Sequence, residues 1–213
     1  MTQDRWETGE PAESQASGTE AVRDSPGGRT RSATRSPGLK PVSADWLMRA
    51  AGYYLERYAS STENLRRVLR RKVKRRAAAA GEDADQHEPL IEATLARFAE
   101  LGFLDDRAYA SARLSSLRRK GTSRTMAAAK LKEKGVPREI VETTLDEDET
   151  GEADAAAAYA RRRRFGPHRS PGRGDRRDKE IAAMLRAGFS FRLAVAAIDG
   201  TIAAEDGLSQ RTD

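Results

Sequence analysis

Three observations predict an all-α protein, an elongated tandem array of three three-helix repeats with a disordered N-terminal tail. Alanine is abundant, and no segment of strand length alternates apolar and polar residues. Only 38% of the 213 residues are hydrophobic and 34% are charged, which disfavours a single large core. Apolar residues instead recur at helical spacing, in groups that repeat about every fifty residues.

The first three-helix group is predicted over 43–103. Ser43 suits the N-cap of its first helix, Ser60 or Ser61 that of the second, and Pro89 the first turn of the third. These signals and the apolar spacing predict helices at 44–59, from the serines to residue 76, and at 89–100, with a flexible connection over 77–88.

The turn after this group joins one helix closely to the next. Gly102 can take the left-handed conformation that ends a helix, and Asp105 or Asp106 can cap the following one. Phe103 and Leu104 lie between them, and we expect both to be buried against the two flanking helices.

The second group is predicted over 104–146 and the third over 147–200. Cap residues and apolar spacing predict their helices at 105–120, 123–135, 138–145, 153–165, 175–187 and 190–200. The segment 1–42 is rich in Gly, Ser, Thr and Pro, so it cannot bury enough apolar surface to offset its ordering entropy. We therefore predict that it is disordered, and that 201–213 is a disordered C-terminus.

Self-similarity supports the division into repeats. The sequence IVETTL at 140–145 aligns with LIEATL at 90–95, and the turn Gly135-Val136 aligns with Gly188-Phe189. A repeat of this length predicts small cores in series and a long surface, which suits an extended partner better than an enclosed small molecule.

Several classes of protein are disfavoured by composition. The chain has no cysteine, which excludes disulfides, thiolate catalysis and cysteine-ligated zinc. Its histidines, His87 and His168, both fall in predicted loops, and no glycine-rich segment has the P-loop form. Asp105 and Asp106 point about 100° apart on a helix and are explained by capping rather than by acid–base chemistry. We therefore expect no enzyme activity, metal or cofactor.

Location and assembly are inferred from the same composition. No apolar run approaches the roughly 20 residues that cross a membrane, and the N-terminus lacks the apolar core of a secretion signal. We expect a cytoplasmic protein without membrane contact. It should be a monomer, because no apolar stripe is left over for a dimer.

Positive charge indicates an anionic partner. The net charge is +6, and the second predicted helix carries like charges at i, i+3 and i+4 with Glu63 as its only acid. Each such pair costs a few tenths of a kcal/mol in an isolated helix, a penalty that a negative partner would remove.

A set of motifs closely resembles the RecX family. They run in the family's order over about 44–198, and the LGFLDD segment with its following Tyr-Ala is the most specific: STENL at 61–65, LGFLDDRAYA at 101–110, KGV at 134–136, KEI at 179–181 and LRAGF at 185–189. Asn64 stands where the family usually has Glu, so this capping box departs from the family pattern.

The resemblance implies tandem three-helix repeats that lie in the groove of the RecA recombinase filament on single-stranded DNA. It also implies a regulator that modulates the recombinase, typically inhibiting its ATPase and strand exchange. Weak, salt-sensitive, non-specific binding to single-stranded or duplex DNA is expected as a secondary property. We place recombinase and DNA contact on the basic edges of the three groups: Arg66, Arg67, Arg70, Arg71, Arg75, Arg76, Arg118, Arg119, Lys120, Arg161, Arg162, Arg163 and Arg164.

The alternative is a helix-turn-helix-like protein that acts directly on duplex DNA. Three-helix units with short turns resemble such modules. The helix from Leu65 to Arg76, however, offers almost only Arg and Lys, which contact phosphates and give little base readout.

Overall fold

The computed structural model describes residues 41–172 and 174–202. Over these residues the protein is all-helical, as the sequence predicts, without a strand. The nine described α-helices are α1 (Ala44–Leu55), α2 (Thr62–Ala80), α3 (Glu88–Glu100), α4 (Asp106–Arg119), α5 (Arg124–Glu133), α6 (Arg138–Asp146), α7 (Glu152–Arg163), α8 (Arg177–Arg186) and α9 (Phe191–Asp199). Single 3-10 turns lie at Asp85–His87 and Gly166–His168.

Most of the predicted tail and C-terminus lies outside the described residues, but the described residues at both ends contact the cores. Val42 is buried with α1–α3, although we assigned it to the tail. Ile202 packs partly against α7–α9, although we assigned it to the C-terminus. No helix among the described residues is both long and apolar enough to cross a membrane.

Buried apolar side chains form three separate clusters, one for each consecutive group of three helices. The first is built around α1–α3 and includes Leu65, Leu69 and Ile91. The second lies among α4–α6, and the third among α7–α9, where alanines bring the helices close together. The interior of this part of the chain is therefore three small cores in series.

Local capping signals are confirmed. Ser43, Ser61, Ser123 and Ser190 each accept a hydrogen bond from a backbone N–H in the first turn of the helix they precede. Asp105 accepts two such bonds at the start of α4. These caps satisfy N–H groups that a helix cannot pair internally.

Several local predictions are wrong. The first helix, predicted to reach residue 59, ends at Leu55. The second helix continues through the alanine run to Ala80, because alanine is the strongest helix former and Gly81 supplies the left-handed cap after it. In the turn after α3, Leu104 is buried as expected, but Phe103 is 65% exposed and meets the ring of Phe98 in an edge-on arrangement.

The groups are joined by polar contacts that occur twice with equivalent atoms. The hydroxyl of Ser61 donates to the carbonyl of Lys134 at the end of α5. The hydroxyl of Ser123 donates to the carbonyl of Ala187 at the end of α8, at 2.6 Å. In the first two groups, the start of the second helix thus meets the end of the second helix of the next group.

A second contact between consecutive groups uses the first N–H of the same helices. We call the two contacts together the joint. Thr62 N–H donates to the Asp106 carboxylate at 2.7 Å, and Arg124 N–H donates to both carboxylate oxygens of Glu152 at 3.2 Å. Asp106 and Glu152 each occupy the first position of the next group's first helix. The two aspartates of the turn therefore have different roles, since Asp105 caps its own helix and Asp106 caps α2.

Candidate interaction surface

The outer face of α2 is partly neutralised by acids of its own group. Arg66 forms a two-pronged ion pair with Glu92 of α3, at 2.6 and 2.9 Å, and also binds Glu63. Arg70 binds Glu88 through two guanidinium nitrogens. The like-charge penalty inferred from the sequence is therefore reduced within the chain, because α3 brings carboxylates that helical spacing along α2 could not reveal.

These ion pairs shift the pKa values of their members. The hydrogen bond from Arg66 lowers the pKa of Glu92, and the hydrogen bond from Glu92 raises the pKa of Arg66. Burial opposes ionisation of Glu63, but the hydrogen bonds from Arg66 and Arg67 outweigh it, so the pKa of Glu63 is lowered. These side chains hold α2 against α3.

Other cations of α2 face solvent. Arg71 and Arg75 are exposed and form no ion pair with any residue that the structure describes. Arg67 is also exposed, yet it binds Glu63 and donates to the carbonyl of Glu133 at the end of α5. Arg76 stacks over the ring of Trp46, 4.6 Å from its centroid. Of the predicted contact residues on α2, Arg71 and Arg75 are the most available.

Arg118 does not belong to a surface and is removed from the predicted contact residues. It is 2% exposed, and its guanidinium binds Asp148 and Glu152 at 2.8 Å each. It also donates to the carbonyls of Thr122 and Thr150, both at 2.8 Å. Arg118 therefore fastens the acidic segment after α6 to the end of α4, a role that its position in a basic run did not reveal.

The neighbouring cations of this run remain on the surface. Arg119 and Lys120 are both exposed at the end of α4. One basic run of the sequence is thus divided between an internal ion-pair network and an outward-facing edge.

The end of α7 carries the longest run of exposed cations in the described chain. Arg161, Arg162, Arg163 and Arg164 are all exposed. Arg162 lies over the ring of Tyr159 and Arg163 over that of Phe165, each 5.8 Å from the centroid. None of the four forms an ion pair with a described residue.

The acidic and histidine residues form no metal site among the described residues. His87 was expected in a solvated loop, but it is buried in the turn before α3. Its Nε2 lies 2.9 Å from a carboxylate oxygen of Glu82. His168 is exposed in the second 3-10 turn. The contact between His87 and Glu82 fixes the turn before α3.

The chain is similar to known proteins that share one family description. The model of the family described as "RecX, second three-helix domain" matches residues 105–145, which span α4–α6. The chain is 40% identical over 178 residues to the regulatory protein RecX of Myxococcus xanthus, covering 81% of this chain and 95% of that relative.

Other relatives carry the same description. The chain is 34% identical over 158 residues to the regulatory protein RecX of Agrobacterium fabrum, covering 73% of this chain and 84% of that relative. It is 37% identical over 142 residues to the regulatory protein RecX of a Thermus thermophilus strain, covering 66% of this chain and 90% of that relative. No solved structure matches the chain.

Proposed function

Because this similarity shows that the chain belongs to the RecX family, we propose that it binds the RecA recombinase filament on single-stranded DNA and inhibits its ATPase and strand exchange. The observation that carries the proposal is the match over 95% of a relative named regulatory protein RecX. We name the recombinase as the partner because the sequence motifs resemble those of the RecX family. On this proposal the protein acts in the cytoplasm as a monomer, by binding alone and without a metal or cofactor.

We assign the contact to exposed cations that have no carboxylate partner among the described residues. They lie on α2, at the end of α4 and at the end of α7: Arg71, Arg75, Arg119, Arg161, Arg162, Arg163 and Arg164. A filament wound on DNA is strongly negative, so cations not already paired can bind it without first losing an internal partner. Arg66 and Arg70 are weaker candidates, because each already binds a glutamate.

Binding to bare DNA is proposed as a weaker, sequence-independent property. Contacts to phosphate release condensed counterions, so the affinity should fall linearly with salt on a log–log plot, with a slope of about −0.7 for each single-strand phosphate neutralised. Contacts of this kind position a protein on the strand and carry little base specificity.

The test is single-stranded-DNA-dependent ATP hydrolysis by the recombinase of the same organism, titrated with the protein at physiological salt. We expect suppression at ratios well below one protein per recombinase protomer, together with weak binding to bare DNA. An unchanged ATPase, combined with tight binding to one duplex sequence, would refute the proposal and favour the helix-turn-helix alternative.

A double variant tests the assigned contact surface. Arg71→Glu with Arg75→Glu reverses two exposed charges one turn apart on α2, and we expect it to weaken inhibition while the melting temperature is kept. The control, Arg97→Glu with Arg138→Glu, changes the net charge equally at exposed arginines that pair with Glu100 and Glu142 on their own helices. Equal loss of inhibition in both double variants would mean that only the net charge matters.

A further inference from the structure

Arg164 has a backbone conformation that an arginine seldom adopts. It lies at φ 56° and ψ 51°, in the left-handed region, directly after the last turn of α7. Every other described residue with positive φ is a glycine. The left-handed region costs an L-residue free energy because its Cβ approaches the following carbonyl oxygen, a cost that glycine avoids.

The turn itself does not require arginine. Arg164 N–H donates to the carbonyl of Arg161, and Phe165 N–H donates to that of Ala160, which is the Schellman pattern. The same pair of hydrogen bonds ends α4, α5 and α8, and in each of these turns the left-handed residue is a glycine: Gly121, Gly135 and Gly188. Glycine at 164 would close the same turn with less strain.

The helix dipole accounts for the neighbouring arginines but not for this one. Cations in the last turn of a helix are stabilised by its negative end, which explains Arg161, Arg162 and Arg163. Arg164 follows that turn, is exposed, and forms no ion pair or side-chain hydrogen bond with a described residue. Strain at a residue whose side chain has no hydrogen-bond, ion-pair or ring partner among the described residues points to a contact outside the protein.

We propose that Arg164 is a phosphate-binding residue, and that Arg161–Arg164 form a site for the sugar-phosphate backbone of a single nucleic-acid strand. This inference rests on the proposed function and deepens it, because it assigns the end of α7 to the DNA of the filament. The guanidinium presents its N–H donors in a planar fork that matches phosphate oxygens. A single strand carries one negative phosphate per nucleotide, and none of the four guanidiniums has to give up a carboxylate partner among the described residues to bind one.

Two of the four side chains are already supported by aromatic rings. Arg162 lies over Tyr159 and Arg163 over Phe165. An arginine stacked on a ring keeps its in-plane N–H donors available and loses less side-chain freedom on binding. Arg164, directly after the end of the helix, adds a further exposed guanidinium to this pair of supported arginines.

The test is a titration of the full chain and its variants with a fluorescent thymidine homopolymer over a range of salt concentrations. We expect Arg164→Gly to melt at the same or a higher temperature, yet to bind the oligonucleotide about tenfold more weakly at low salt. Its log–log salt slope should be shallower by about 0.7. Arg164→Lys keeps the charge and should retain most of the affinity, and Arg97→Gln controls for the loss of one exposed charge.

The outcomes separate this inference from the proposed function. Wild-type affinity in Arg164→Gly, or a lower melting temperature, would overturn the inference, because the arginine would then be idle or would support the fold. A loss of affinity for the recombinase filament but not for the oligonucleotide would assign Arg164 to an acidic protein surface and overturn the phosphate site. A wild-type protein that leaves the ATPase unchanged refutes the proposed function alone, since the oligonucleotide titration still decides the role of Arg164.

Discussion

Replacing Arg118 with methionine should destabilise the protein far more than the same change at its neighbour. Arg118 is almost fully buried, whereas Arg119 is exposed. Methionine keeps much of the length of the side chain and removes its charge and donors. Asp148, whose side chain is 7% exposed, would then lose its partner.

The magnitude follows from what the substitution leaves unpaired. The carbonyls of Thr122 and Thr150 each lose a 2.8 Å hydrogen bond, and Asp148 keeps a negative charge away from water. Breaking a buried ion pair by removing one partner costs about 3 to 5 kcal/mol. Glu152 adds little to this cost, because its side chain is 31% exposed and water can replace the arginine.

The assay is urea denaturation of wild type, Arg118→Met and Arg119→Met, followed by far-UV circular dichroism. We expect Arg119→Met to stay within about 0.5 kcal/mol of wild type, as exposed substitutions usually do. Adding Asp148→Asn to Arg118→Met should recover part of the loss, because no unpaired charge then remains. A cost for Arg118→Met as small as that for Arg119→Met would refute the reasoning, since the network would then contribute nothing to stability.

Two further predictions concern a joint and an ion pair. Ser123→Ala removes both the cap of α5 and the hydrogen bond to Ala187, and should lower the free energy of unfolding by about 1 to 2 kcal/mol in urea denaturation. The control, Ser190→Ala, removes only the cap of α9. An equal loss in both variants would mean that the hydrogen bond to Ala187 adds no stability. Arg66 lowers the pKa of Glu92, so the stability from this pair is present above the unfolded pKa near 4.5 and is lost as pH falls through the folded pKa. Glu92→Gln should therefore weaken the acid dependence of the melting temperature, and an unchanged dependence would contradict this assignment.

What the sequence predicted well is local. Caps depend on a side chain and an N–H two or three residues away, so Ser43 could be identified from spacing alone and Asp105 as one of two candidates. Leu65 and Leu69 lie at helical spacing in the sequence, and both are fully buried on the inner face of α2. Both signals are contained within one helix.

The errors share one physical cause, which is that partners from another helix change the meaning of a side chain. Arg118 and Arg119 are adjacent and chemically identical, yet only Arg118 faces the carboxylates delivered by the segment after α6. Arg66 belongs to a basic run, yet α3 places Glu92 against it. A charge pattern in one helix therefore overestimates the surface available to an anionic partner.

In the part of the chain that the structure describes, the start of α8 lacks the polar contacts that join the groups at the starts of α2 and α5. The hydroxyl of Ser123 accepts the Met126 N–H and donates to the Ala187 carbonyl, so this one hydroxyl binds the start of α5 and the end of α8. At the start of α8 the corresponding position is Arg176, whose side chain makes no cap hydrogen bond, and Arg177 N–H is taken by Asp175 within the same segment. Among the described residues, the start of α8 therefore makes neither polar contact of the joint. In the three described groups, the joint is present where a serine precedes the second helix and absent where Arg176 takes that position.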